Sequence, residues 1–215
     1  MSGSGLPSLL PFPVAVRESD DAGHFYCGHT LFCTHALLRA AHARSSSLFR
    51  PVLDDDHAPL WGFLHVPPRT SSRIRLAGQG HTDVTSIAFT VAAALAGYGE
   101  VLERSIPAAE PLHIALSGFG PFRDVVENPS GHFVTSAEEI RSTLQLAFSP
   151  VEVDLRMEDR GLSCRAWLPS GRLLHLVTRC FEVDDRFLEF ANVDSLFTLL
   201  AAPTQAWLGL GVCRD

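Results

Sequence analysis

The chain has 215 residues, of which 46% are hydrophobic and only 19% are charged, a balance typical of one soluble globular domain with a substantial core. Its net charge of -7 and its 17 scattered basic residues, all of them arginine, argue against nucleic-acid binding, because phosphate contacts need clustered cations. The longest apolar runs, 87–96 and 206–212, are shorter than the roughly 20 residues that cross a bilayer. No membrane partner is therefore expected.

The first half of the chain alternates between strand and helix patterns. Short apolar runs predict strands at 12–16 and 60–66, and the Ala- and Leu-rich stretch between them predicts a helix at 24–44. A second helix is predicted from about 83 to 96, and a further strand at 112–116. The N-terminal stretch has neither the basic region nor the long apolar segment of a secretory signal, so we expect a cytoplasmic protein.

The second half continues with a helix predicted from about 136 to 148, where Ser136 and Glu139 resemble a capping box. The extended stretches "LSCRAWL" and "RLLHLVTRCFEV" flank the turn-like "PSG" and predict a hairpin at 162–183. A helix at 193–202 and a final strand, "AWLGLGV", follow. This order predicts a three-layer α/β/α sandwich with a mostly parallel, twisted sheet, an antiparallel hairpin at one edge, and active loops beyond the strand carboxyl ends.

The five cysteines are irregularly spaced and form no CxxC pair, which favours reduced thiols over a disulfide framework. HExxH, Walker and GxGxxG patterns are also absent from the sequence. We therefore expect no metal and no organic cofactor.

Cys27 falls in the first turn or so of the predicted helix at 24–44. The partial positive charge and unpaired N–H groups of a helix start favour a thiolate and can stabilise an oxyanion, so Cys27 is a candidate nucleophile. The alternative is a small buried residue on an apolar helix. Cys33, six residues later, is assigned to packing.

His65 lies at the carboxyl end of the predicted strand 60–66, where a parallel sheet carries its functional loops. There it could take the proton of a thiol and later return it to a leaving amine. The alternative is a histidine that closes a strand. His24 and His29 flank Cys27 in sequence and are kept as supporting candidates.

Three separated motifs resemble those of the pyroglutamyl peptidase I (pyrrolidone-carboxylate peptidase) family. "SDDAGHFYC" and "GFLHVPP" resemble its Cys and His motifs, and "SGFGPFRDVVENPS" is similar to its opening "GFGPFGG…NPS" segment. In the family the GFGPF strand comes first, whereas here Cys27 and His65 precede Phe119. The resemblance therefore implies one circularly permuted domain, 1–215, with a Cys/His half at 1–111 and a GFGPF half at 112–215.

The permutation leaves one family segment without a counterpart. "AWLGLGVCRD" resembles the strand before that segment, and the segment itself carries the Glu that orients the catalytic His. Asp215, just past the final strand, is the preferred substitute, and other carboxylates lie near the motif loops: Asp20, Asp21 and Asp83. Acids in such positions are more often solvated loop residues or helix caps.

The resemblance also implies a pocket for a flat, uncharged pyroglutamyl ring, with Phe119 and Phe122 as the ring-contacting residues. Ordinary core packing is the alternative for both. Tyr26 and Asn128 are further substrate-binding candidates, although Asn128 is more typical of a residue that caps or braces the loop.

The loop after the GFGPF strand keeps two glycines of the family motif and departs from the motif at the two residues after Phe122. Gly118 and Gly120 are expected to allow a tight turn. Arg123 and Asp124 replace the family's Gly-Gly and add side chains at the mouth of the pocket, which favours a changed substrate.

The activity implied is hydrolysis of an N-terminal pyroglutamyl bond in a small peptide or amide through a Cys27 acyl-enzyme. A related Cys/His acyl-transfer enzyme, such as a cyclase or amidase, and a catalytically inactive binding protein are the alternatives. A chain that lacks one sheet-crossing segment would expose apolar surface, so a homo-oligomer is open.

Overall fold

The described part of the chain consists of three helices and six strands. The computed structural model describes residues 60–66, 86–121, 128–182 and 204–212. In chain order the elements are β1 (Leu60–Val66), α1 (Ser86–Ser105), β2 (Leu112–Phe119), α2 (Pro129–Thr135), α3 (Ala137–Phe148), β3 (Glu152–Glu158), β4 (Gly161–Trp167), β5 (Leu173–Phe181) and β6 (Ala206–Val212). The strand at 12–16 and the helices at 24–44 and 193–202 that the sequence predicts lie outside the described residues.

All six strands belong to one sheet with the order β1-β6-β2-β5-β4-β3. The first four strands in this order are mutually parallel, whereas β4 pairs antiparallel with both β5 and β3. The predicted α/β fold with a mostly parallel sheet and an antiparallel hairpin is therefore confirmed. The hairpin is β4–β5, and the unpredicted β3 extends it outward.

The sequence analysis missed β3 because its residues, "EVDLRME", are mostly charged and exposed. An edge strand contacts a neighbour on one side only, so it needs few apolar residues. Its backbone pairing with β4, rather than burial of its side chains, makes it a strand.

The helices α1 and α3 differ in how well the sequence predicts them. Helix α3 begins after Ser136, whose side chain accepts the Glu139 N–H at 3.3 Å, as expected for a helix cap. Helix α1 begins at Ser86 and continues to Ser105, nine residues beyond the predicted end at 96. A Cβ atom on Gly99 would lie 2.4 Å from the Phe148 ring, so packing of α1 against α3 explains a glycine inside this helix.

The core lies between the three helices and one face of the sheet. Alternate residues of the central strands supply the sheet side of this core, among them Leu112, Ile114, Leu116, Leu174, Leu176, Leu208 and Leu210. The opposite face also carries almost fully buried side chains, including Trp207 and Phe181. Both faces are therefore covered, as a sandwich requires.

Arg172, just before β5, fixes the carboxyl end of α1. Its guanidinium donates to four backbone carbonyl oxygens of that helix and the following turn, those of Glu103, Ile106, Pro107 and Glu110, at 2.8–3.2 Å. A planar fork of five N–H donors suits this arrangement, because the last carbonyls of a helix have no partner within it. None of the described helices has the length and apolar character needed to cross a membrane.

Candidate functional site

The candidate site lies where the four parallel strands end. Strands β1, β6, β2 and β5 all run in the same direction, so their carboxyl ends gather at one edge of the sheet. In open α/β sheets this edge is where ligands bind and where functional loops leave the strands.

His65, Gly211, Phe119 and Phe181 occupy one row across these strand ends. His65 pairs with Gly211, and Phe119 pairs with Phe181. The register between β6 and β2 is given by the pair Ser117 with Gly209. Gly211 and Phe119 each lie two residues beyond this pair, so they are at the same height in the sheet. With neighbouring strands about 4.8 Å apart, the Cα atoms of His65 and Phe119 are separated by about 10 Å.

Phe119 belongs to a buried aromatic cluster on the face of the sheet opposite the three described helices. Only 2% of it is exposed, and its ring centroid lies 6.4 Å from that of Phe63 and 6.1 Å from that of Phe181, the latter in an edge-on arrangement. Phe63 also contacts Trp207, whose indole N–H donates to the Ser117 hydroxyl at 3.1 Å. Phe119 is therefore packed inside this aromatic cluster, and its contact with a substrate stays a prediction.

Asn128 braces the turn that follows β2. Its side-chain amide donates to the Gly120 carbonyl at 3.2 Å, while its Oδ1 accepts the backbone N–H of Ser130 at 3.1 Å and the Ser130 hydroxyl at 2.8 Å. It is also the N-cap of α2, with Pro129 as the first helical residue. The bracing role predicted for Asn128 is confirmed, and its contact with a substrate stays a prediction.

Ser130 completes this buried network, and the sequence analysis did not identify it. Its Oγ accepts the backbone N–H of Phe119 at 3.1 Å, which ties the end of β2 to the start of α2. The serine of "NPS" was a visible signal, but its partner is eleven residues away in sequence. Only the folded chain brings the two together.

Two glycines allow this close contact between β2 and α2. A Cβ atom on Gly118 would lie 2.3 Å from the Ser130 carbonyl oxygen, and one on Gly131 would lie 2.2 Å from the Phe119 carbonyl oxygen. The expectation that Gly118 allows a tight turn is wrong, because this residue lies inside β2. Neither Gly118 nor Gly120 has a positive φ, so the first is required for close approach rather than for turn geometry.

The two described cysteines are free thiols without the character of nucleophiles. Burial raises the pKa of Cys164 to about 12, and burial also raises the pKa of Cys180. A thiol with a raised pKa carries little thiolate at neutral pH. Both residues therefore serve packing.

A pair of histidines lies on the same face of the sheet as the aromatic cluster, but near the amino ends of β2 and β5. His113 pairs with His175, and their ring centroids are 4.7 Å apart. Burial, and secondly the charge of His175, lowers the pKa of His113 to about 4. Burial, and secondly Arg165, lowers the pKa of His175. Both rings are thus kept neutral, a feature that the sequence analysis missed.

Several of the predicted site residues lie outside the described residues: the catalytic candidates Cys27 and Asp215, the substrate-binding candidates Tyr26 and Phe122, and the supporting candidates His24, His29, Asp20, Asp21 and Asp83. The position of His65 in β1 is described. Within the described ranges, no group of three or more His, Cys, Asp or Glu side chains is arranged to hold a metal ion. Comparisons of the chain with protein-family models, with curated proteins and with solved structures found no match.

Proposed function

We propose that the chain is a cysteine peptidase of pyroglutamyl type, with Cys27 as the nucleophile and His65 as its general base and acid. The observation that supports this most strongly is the row at the strand ends, in which His65 is level with Phe119, the GFGPF-motif residue that ends β2. These two positions come from motifs more than fifty residues apart in the sequence. A shared site at this edge is what the resemblance to pyroglutamyl peptidase I requires.

The proposed reaction has two steps. Cys27 gives its thiol proton to His65, and the thiolate attacks the carbonyl carbon of the pyroglutamyl bond, where backbone N–H groups at the start of the helix predicted at 24–44 would stabilise the oxyanion. The C–N bond then breaks as His65 gives that proton to the departing amine. Water then attacks the thioester while His65 takes its proton. The carboxylic acid leaves and the thiol is restored, with no metal or cofactor involved.

Asp215 is the proposed partner that orients His65. It follows Val212, the last residue of β6, by three residues, and β6 is the direct neighbour of the strand that carries His65. Three residues span at most about 10 Å, so the proposed contact between Asp215 and His65 would have to form within that distance of the end of β6. A carboxylate that holds the imidazole in one tautomer can be worth several orders of magnitude in rate.

The substrate pocket is proposed to form around the aromatic cluster. Phe119 is packed against Phe63 and Phe181, which would make it a rigid backing for the ring-contacting residues. Phe122, Tyr26 and Asn128 would complete the pocket. Asn128 already uses its amide to hold Gly120, so its contribution would be made through the position of the loop.

A related acyl-transfer activity on another substrate is the second candidate. The observation that favours it is the replacement of the family's Gly-Gly by Arg123 and Asp124, which would narrow the pocket and add charges. A catalytically inactive protein that binds a ligand without turning it over is the third candidate.

Hydrolysis of a fluorogenic pyroglutamyl amide, measured together with iodoacetamide labelling, separates these candidates. The proposed peptidase releases the fluorophore, and Cys27→Ala abolishes release while the matched Cys33→Ala variant keeps it. Labelling of Cys27 at neutral pH without hydrolysis would point to another substrate. A Cys27 that resists labelling, with no hydrolysis, would contradict any thiol mechanism.

A further inference from the structure

Strand β3 lies at one edge of the sheet formed by the described residues. In the described part of the chain β3 pairs with β4 alone, and its side chains are largely exposed: Met157 by 69% and Arg156 by 72%. An unpaired strand edge is a template for another strand, so an occupant is to be expected unless charge or distortion prevents it.

The backbone pattern shows which residues of β3 face outward. The Cys180 N–H donates to the Arg160 carbonyl, which makes these two a hydrogen-bonded pair at the start of β4–β5. Because such pairs alternate, even-numbered residues of β4 bond to β5 and odd-numbered ones bond to β3. The odd-numbered residues of β4 are paired with the even-numbered residues of β3, so the backbone groups of those even-numbered residues bond to β4. The backbone N–H and C=O groups of the three odd-numbered residues therefore point away from the sheet: Val153, Leu155 and Met157.

The charges on β3 select one self-pairing register. When two copies pair antiparallel about Leu155, the outward groups of Leu155 meet their own copies, and those of Val153 meet Met157. In the same register Asp154 lies directly opposite Arg156 of the second copy, twice by symmetry. A shift by two residues instead opposes Asp154 with Asp154, or Arg156 with Arg156.

Both faces of this pairing are complementary. Val153, Leu155 and Met157 lie on the face that packs against the helices, where Val153 and Leu155 adjoin the core. When β3 pairs with β3 of a second copy, these three apolar side chains would lie beside those of the second copy, and the exposed Met157 would be covered. On the opposite face, the Asp154 and Arg156 side chains, 3.6 Å apart within one strand, would exchange partners between copies.

We infer that the chain forms a two-fold symmetric dimer through antiparallel pairing of β3 with β3, centred on Leu155. Glu152 faces Glu158 of the second copy at each end, which weakens the association. A single strand edge also buries less area than a standard interface. The dimer is therefore a weak one, with a dissociation constant in the micromolar range.

Reversing the charges of Asp154 and Arg156 by substitution tests the register centred on Leu155. Sedimentation equilibrium of the full chain, from about 1 to about 300 µM, should show the mass rise from 23.4 kDa towards twice that value. Asp154→Arg and Arg156→Asp should each weaken association about tenfold or more, because each opposes like charges twice, and the double exchange should restore it. Glu138→Arg and Arg141→Asp on the exposed side of α3 change the net charge equally and should leave association unchanged.

A second variant keeps the test independent of hairpin stability. The Met157 N–H points outward, so Met157→Pro removes an intermolecular donor without removing a bond to β4. It should weaken association, whereas Met157→Ala should retain it to a larger extent. A chain that stays monomeric at all concentrations would overturn the inference. So would a dimer that neither Asp154→Arg nor Arg156→Asp weakens, or one whose association is not restored in the double variant.

Discussion

The side-chain amide of Asn128 donates to the backbone carbonyl of Gly120 at 3.2 Å, and the same residue caps α2 through its Oδ1. One side chain thus connects the end of β2, the turn after it and the first turn of the next helix. The candidate site depends on this connection, because the GFGP motif at 118–121 begins in the last residues of β2 and continues into this turn.

We expect Asn128→Ala to lower the free energy of unfolding by about 2–3 kcal/mol, since it removes a helix cap and leaves buried groups without partners. Asn128→Asp keeps the cap acceptor and loses only the donor to Gly120, so a smaller loss is expected. Urea denaturation measures both. Ser136→Ala, which removes only the cap of α3, should cost about 1 kcal/mol. An Asn128→Ala loss no greater than that of Ser136→Ala would argue against the bracing role.

The two glycines of the GFGP motif should respond differently to alanine. Gly118→Ala forces a Cβ to within 2.3 Å of the Ser130 carbonyl oxygen, whereas Gly120→Ala places it 3.5 Å from the Phe181 carbonyl oxygen, an ordinary contact. We expect Gly118→Ala to destabilise the fold by about 1–3 kcal/mol or more, and Gly120→Ala to cost less than about 1 kcal/mol. Thermal unfolding compares them, and equal losses would refute the close approach of α2 to β2.

Arg172 should be irreplaceable by lysine. A lysine ammonium has three donors on a flexible stem and cannot reproduce the planar contact with four carbonyl oxygens, so Arg172→Lys should cost about 2–3 kcal/mol. Amide hydrogen exchange should quicken at the carboxyl end of α1. Arg179→Lys is the matched control, because Arg179 donates to one carbonyl, that of Asp159, in an exposed contact. Unchanged exchange in α1 of Arg172→Lys would contradict the proposed anchoring.

The histidine pair should make the fold sensitive to mild acid. His113 has a folded-state pKa of about 4, below the unfolded value of about 6.5, so its contribution is complete above pH 6.5 and is lost as the pH falls towards 4. Both rings are partly exposed, so after allowance for solvent screening we expect a loss of about 1 kcal/mol between pH 7 and pH 5.

The control for this prediction is a variant in which neither ring can titrate. Thermal unfolding of the double variant His113→Gln, His175→Gln should decline less between pH 7 and pH 5 than that of the wild type, whatever its absolute stability. Parallel pH profiles would mean that other histidines cause the acid sensitivity.

Patterns with a local cause were predicted from the sequence. The β4–β5 hairpin follows from two apolar stretches around "PSG", the start of α3 from Ser136, and the brace at Asn128 from the "NPS" segment. Each depends on residues that are close in the chain.

Features with a tertiary cause were missed. Strand β3 is defined by its pairing with β4, and the last turns of α1 depend on packing against α3 at Gly99. The partnership of Phe119 with Phe181, and that of His113 with His175, joins residues about sixty positions apart. No periodicity within one segment encodes such contacts.

The central claim is that Cys27 forms an acyl-enzyme, and the most direct test is to map where a pyroglutamyl chloromethyl ketone attaches. Its reactive carbon alkylates a thiolate held beside a bound pyroglutamyl ring, so peptide mass mapping of the full chain should find the adduct on Cys27. Labelling should be suppressed in His65→Ala and by excess pyroglutamate. An adduct on Cys33 or Cys213 in place of Cys27, or no adduct at all, would contradict the proposed peptidase.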